Sequence, residues 1–205
     1  MKSFLFYLFI LFFCCHSDAQ SHNFFKKLLD KEKITIVIQP FDKFPQASAN
    51  YIANQVRKVY SGSVVVNKPI NFPINSLNST RSRYRADSLI RFLSKNTSSG
   101  FLSIGLTNKD ISTTKGKYQD WGIMGLGYCP GKSCVASTYR LKGNNQLDKL
   151  YKVAIHELGH TQGLAHCPEK GCLMRDAKGK DDLNSLYSFC RKCKAVLSKA
   201  GWSLN

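Results

Sequence analysis

The chain has 205 residues, 43% hydrophobic and 12% aromatic, and its 30 basic side chains against 13 acidic ones give a formal charge of +17. That size suits one domain with its own core, and no internal repeat or long low-complexity linker points to a solenoid or a string of modules. The cationic excess favours anionic envelopes, acidic peptides or nucleic acid as surroundings, or else a solvated surface of high pI.

The first element is an export signal. Lys2 gives a charged start, residues 4–13 are an unbroken apolar run, and Ser17, Asp18 and Ala19 are small or short side chains where a signal peptidase cuts. The run is too short for a stable membrane span. Cleavage after Ala19 leaves residues 20–205 as a single domain that is secreted, periplasmic or held at the cell surface, with a lipoprotein anchor at Cys14 or Cys15 as a lesser alternative. The signal carries one base and one acid, Lys2 and Asp18, so its removal leaves the net charge unchanged.

Residues 33–39 are β-branched and alternating, the pattern of a strand, and Pro40 ends it. Ile52, Val56 and Val59 recur at helical spacing within 46–60. A short strand follows at 63–66, and 67–80, with Pro69 and Pro73, reads as loop. Leu89, Ile90, Phe92 and Leu93 suit a second helix over 83–95. Gly100 closes it, and 101–106 forms a third strand. Residues 122–128 and 134–141 read as paired strands joined through a turn between Cys129 and Cys134, which are candidates for a disulfide that would stiffen the junction. Asn144 or Asn145 then caps a helix whose inward face is Leu147, Leu150, Ala154 and Leu158. A last helix starts at Asp181 or Asp182 and runs through Leu186, Phe189, Val196 and Leu197. The order implies an α+β fold, a mixed sheet with helices packed on it.

The third helix carries the chemistry. Residues 156–166 read HELGHTQGLAH, the pattern HExxHxxGxxH. A helix puts positions four apart on one face, so His156 and His160 can present imidazoles to one metal. Gly163 accepts the left-handed turn that ends the helix and returns the chain, bringing His166 as a third ligand. Three protein ligands leave one tetrahedral position open, the mark of a catalytic zinc rather than a structural one. Glu157 follows the first ligand, where its carboxylate can reach a water on the metal and act as general base. The implied reaction is hydrolysis of a peptide bond by that water, with peptides or proteins as substrates.

Two close cysteine pairs follow, Cys167 with Cys172 and Cys190 with Cys193. Four thiolates fill a tetrahedral zinc site and leave it structural, for a total of two zinc ions per chain. An exported chain leaves open a competing reading, two disulfides in place of the second zinc. A non-catalytic, zinc-stabilised module gripping anionic polymers is the rival function. No nucleic-acid partner is expected, and the chain is expected to be a monomer.

The run HELGHTQGLAHCPEKGCLM followed by FCRKC resembles the archaemetzincins, a branch of the metzincin zinc peptidases. The resemblance covers residues 120–193. It implies a metzincin-like catalytic domain with an active-site helix, a Met-turn and a C-terminal helix, and a zinc metallopeptidase activity, with aminopeptidase action as one form. By position it implies His156, His160 and His166 on the catalytic zinc, Glu157 as base, and Met174 as the Met-turn beneath the imidazoles. Cys167, Cys172, Cys190 and Cys193 would hold the second zinc. An extended substrate would pair with the strand at 135–140, and Tyr139 or Tyr187 would donate to the oxyanion. The interval between Met174 and Cys190 is somewhat short for the family, and the export signal and the Cys129–Cys134 pair depart from its pattern.

Overall fold

The computed structural model describes residues 34–80, 82–176 and 183–205. The signal segment, Cys14 and Cys15, and the helix start expected at Asp181 or Asp182 lie outside the described residues.

Alternating branched side chains build β1 (Thr35–Pro40), whose Ile36 and Ile38 are fully buried. Helix α1 (Gln46–Val59) turns Ala49, Ile52, Ala53 and Val56 onto the sheet, and β2 (Val64–Val66) returns parallel to β1. After the loop comes a two-residue strand, β3 (Tyr84–Arg85), and only then helix α2 (Ala86–Asn96). The helix expected from residue 83 therefore begins at Ala86. Tyr84 and Arg85 are held extended by their own long-range hydrogen bonds, Tyr84 N–H to the Asp110 carbonyl at 2.9 Å and Arg85 N–H to the Ser76 carbonyl at 2.6 Å.

Strand β4 (Phe101–Thr107) runs parallel to β1, and β8 (Ser133–Ser137) runs parallel to β4. Between them lies a hairpin that periodicity did not suggest, β5 (Ile111–Lys115) and β6 (Tyr118–Ile123), which with β3 makes a separate three-stranded sheet. The short β7 (Gly125–Gly127) pairs antiparallel with β8, so the main sheet has the order β2-β1-β4-β8-β7 and β7 is its edge. The expected strand pair at 122–128 and 134–141 is thus present but shorter, because Gly122 and Ile123 belong to β6.

Side-chain alternation along β8 separates two cores. Cys134 and Ala136 join α1 and helix α3 (Gln146–Thr161) on one face, while Val135 joins Phe41 and the Leu89, Ile90 and Leu93 stripe of α2 on the other. Asn145 precedes α3, as expected of a cap, but makes no side-chain capping bond. The final helix is shorter than expected: a 3₁₀ turn covers Leu183–Ser185, and α4 spans Arg191–Lys199 with Cys190 as its cap residue. Leu186 and Phe189 are buried in the non-helical chain between them. Among the described residues no helix is long and apolar enough to cross a membrane.

Candidate metal centre

Helix α3 delivers His156, Glu157 and His160 from one turn. Its end is a Schellman turn: Gly163, at φ +86°, donates to the His160 carbonyl at 2.9 Å, and Leu164 donates to the Gly159 carbonyl at 3.2 Å. The reversed chain brings His166 back, and ligand atoms of the three imidazoles lie within 4.8 Å of one another. The three ring centroids are 4.6, 4.9 and 5.3 Å apart.

Backbone carbonyls orient two of the rings. His156 Nδ1–H donates to Leu173 at 2.7 Å, and His160 Nδ1–H donates to Leu164 at 2.6 Å. Both Nε2 lone pairs therefore face inward, 3.0 Å apart. Two acceptors so close repel unless a cation lies between them, and zinc–nitrogen bonds of about 2.0–2.1 Å in a tetrahedron ask for nearly this spacing. The donor set fits zinc. Burial, partly offset by the Leu173 hydrogen bond, lowers His156 to about 4, and burial also lowers His160, so both rings favour the neutral form that binds metal. His166 is half exposed, and its Nδ1 lies 3.9 Å from an Asp176 carboxylate oxygen.

Glu157 is buried against β7 rather than open to solvent. Burial raises its carboxyl to about 8 against the opposing hydrogen bond from the Gly127 N–H. Two glycines make that contact possible. A Cβ on Gly125 would lie 2.7 Å from Glu157 Oε1, and one on Gly127 would lie 2.5 Å from the Glu157 carbonyl oxygen. Sequence reasoning missed both, although a Gly-x-Gly strand just before the histidine helix was a visible signal. Met174 is fully buried, and its Sδ would stand 2.5 Å from a Cβ on Gly159, in the helix turn between the two histidines. The Leu173 and Leu164 carbonyls and Asp176 were missed as well. Carbonyls carry no residue-type signal, and Asp176 becomes a neighbour of His166 only once the chain has turned.

Two expectations change. Strand β8 is paired on both sides, with β4 and β7, so it cannot receive a substrate strand. The free edge beside Glu157 is β7. Cys129 and Cys134 are free thiols rather than a disulfide. Alternation on β8 turns Cys134 into the core, fully buried, while the exposed Cys129 donates to the Leu164 carbonyl at 3.5 Å. Tyr139 and Tyr187 are 61% and 76% exposed, and Tyr187 lies over Gly171 beside the cysteine cluster.

That cluster gathers Cys167, Cys172, Cys190 and Cys193, with all four sulfurs within 4.8 Å. Cys167 and Cys190 are 3.7 Å apart, as are Cys172 and Cys193. A disulfide needs about 2.05 Å. Four thiolates about 2.3 Å from one zinc stand about 3.8 Å apart, so the spacing fits a shared ion. The Cys190 N–H donates to Cys172 Sγ at 3.4 Å. Although burial opposes it, hydrogen bonds from Cys193, Cys167 and Cys172 bring Cys190 down to about 7, while burial raises Cys172 and Cys193.

Residues 31–199 match peptidase family M54. The chain belongs to this family, the archaemetzincins. It is 31% identical over 178 residues to the archaemetzincin of Haloquadratum walsbyi, covering 78% of this chain and 97% of that one. With the Archaeoglobus fulgidus archaemetzincin it shares 30% identity over 166 residues, covering 79% and 98%. The crystal structure of the Methanopyrus kandleri archaemetzincin superposes with a TM-score of 0.69 at 26% identity, covering 82% of this chain and 95% of that one. The A. fulgidus enzyme complexed with malonate gives 0.68 at 28% identity, covering 80% and 99%. Membership makes the chain a zinc metallopeptidase acting on peptides, and leaves the non-catalytic binding module without support.

Proposed function

We propose that His156, His160 and His166 hold the catalytic zinc, that Glu157 is the general base, and that Met174 is the apolar floor under the rings. The observation that carries this reading is the convergence of three histidine nitrogens, those of His156 and His160 aligned by backbone carbonyls, beside the helix turn that also carries Glu157. Zinc bound there supplies Lewis acidity that polarises the scissile carbonyl and makes water nucleophilic near neutral pH. Glu157, oriented by the Gly127 N–H and held ionised against its burial by the charge of a zinc bound beside it, would take the proton of the attacking water and pass it to the leaving amine. The β7 edge offers unpaired backbone groups to an extended peptide, as a sheet border does in strand addition. Glycines at 125 and 127 hold that edge close to the carboxylate. Glu157→Gln should retain metal and lose about 10²- to 10⁴-fold in peptide hydrolysis. Full activity in that variant would remove the base assignment. Digestion of a peptide library read by mass spectrometry would separate aminopeptidase from internal cleavage.

The second zinc is assigned to Cys167, Cys172, Cys190 and Cys193 on the strength of the 3.7 Å sulfur spacings. Metal analysis of the purified protein should return two zinc ions per chain, whereas one ion with only Cys129 and Cys134 titratable after denaturation of the processed chain would restore the disulfide reading. Export after cleavage at Ala19 completes the proposal, resting on the sequence of residues 1–19. Amino-terminal sequencing of the protein from its native host should begin at Gln20.

A further inference from the structure

The β5–β6 hairpin carries a feature that the peptidase site does not use. Its turn, at Gly116 with φ +56°, is flanked by Lys115 and Lys117, and β6 opens with Tyr118 and continues to Trp121. Both rings are exposed, Tyr118 at 55% and Trp121 at 42%, and neither belongs to the two cores. Their centroids are 5.7 Å apart at 47°, with Lys115 Nζ 5.1 Å from the Trp121 ring and Lys117 Nζ 5.6 Å from the Tyr118 ring. No acidic residue occurs from Ile111 to Gln119; the flanking Asp110 and Asp120 are engaged by Arg83, Arg140 and Asn78, and Asp87, which accepts from Thr113 of β5, is paired with Arg85. The tip is held in place: Arg85 donates to the Gln119 carbonyl and, at 2.9 Å, to Thr114 Oγ1. The outer strand β6 has no further strand beside it among the described residues.

We propose that this hairpin tip docks the enzyme on an anionic phospholipid bilayer. Indole and phenol rings settle at the level of lipid headgroups, where an apolar body and a polar edge are both satisfied. Lysines beside them meet the headgroup phosphates, and the chain's charge of +17 adds attraction of the same sign. A flat stacking platform for a sugar or a base is a poorer match, because the rings are tilted and each has an ammonium near its face. Trp121 precedes Gly125 of the β7 edge by four residues, about 13 Å of extended chain, so docking would bring the cleft close to the lipid surface.

The test uses the full chain with phosphatidylglycerol–phosphatidylcholine vesicles and with pure phosphatidylcholine vesicles. Only two tryptophans are present, and Trp202 is buried at 3% exposure, so a change in emission reports Trp121. The anionic vesicles should shift emission to the blue and sediment the protein, with binding falling as salt rises. Two paired variants, Tyr118→Ser with Trp121→Ser and Lys115→Gln with Lys117→Gln, should each lose about 10-fold or more in partitioning onto anionic vesicles while cleaving soluble peptides as before. Exposed positions of this kind perturb folding little. The apolar run at residues 4–13 can bind lipid by itself, so the decisive quantity is the difference between wild type and variants. Equal sedimentation of both, or an unshifted emission, would overturn the proposal.

Discussion

A single methyl group on Gly127 would press on the backbone of the active-site helix, 2.5 Å from the Glu157 carbonyl oxygen. Backbone cannot swing aside as a side chain can, so Gly127→Ala should destabilise by about 1–3 kcal/mol. Calorimetry should show this as a melting temperature lower by about 2–10 °C, with activity reduced as well. Gly159→Ala meets the Met174 thioether instead, a flexible end that can move, and should lower the melting temperature less. These two variants mark what a sequence can and cannot say. The histidines were legible because their chemistry is tied to residue type and their spacing to the helix repeat. Gly125, Gly127 and Gly159 were not, since a glycine's meaning depends on which atoms approach it from elsewhere in the chain.

Helix α4 has nine residues, short of the length at which a helix persists unaided, and buries only Cys193 and Leu197. Its stability must come largely from the cysteine cluster. On the proposed assignment, Cys193→Ser should reduce zinc from two ions to one per chain. Hydrogen exchange should then quicken at the Lys194 amide, bonded to Cys190 at 2.9 Å, while amides of β1 and β4 stay protected. Equal protection in variant and wild type would show that packing alone suffices. The sequence suggested a longer final helix because Leu186 and Phe189 fit its period, but Tyr187 and Ser188 bond instead through their backbone to Gly171 and Leu173, and the helix starts only at Arg191. The β5–β6 hairpin escaped notice for a related reason: residues 111–119 are mostly polar, and their strand state depends on pairing with β3 and on ion pairs made far along the chain.

The molecule as a whole is a mixed sheet with helices on both faces, and its order of strands and helices was largely readable from periodicity. How the small sheet is fastened to the large one was not. Asp110 accepts Arg83 Nε at 2.7 Å and Arg140 Nε at 2.8 Å, linking the chain before β3 to the turn after β8. Arg83 also reaches Asp120 on β6 at 3.2 Å. With 13 acids against 30 bases, few carboxylates are available for such a role. Asp110 is buried but both arginines are a third exposed, so screening trims the loss. Asp110→Asn should cost about 1–2 kcal/mol, seen as a lower denaturant midpoint.

One peptide bond separates His166 from Cys167. On the proposed assignment, neighbouring residues answer to different ions, and the Cys167 amide is tied at 2.8 Å to the carbonyl of Met174, beneath the first ion. Loss of the thiolate ion would then be felt at the catalytic centre: Cys193→Ser should cleave peptides more slowly than wild type even with zinc in excess.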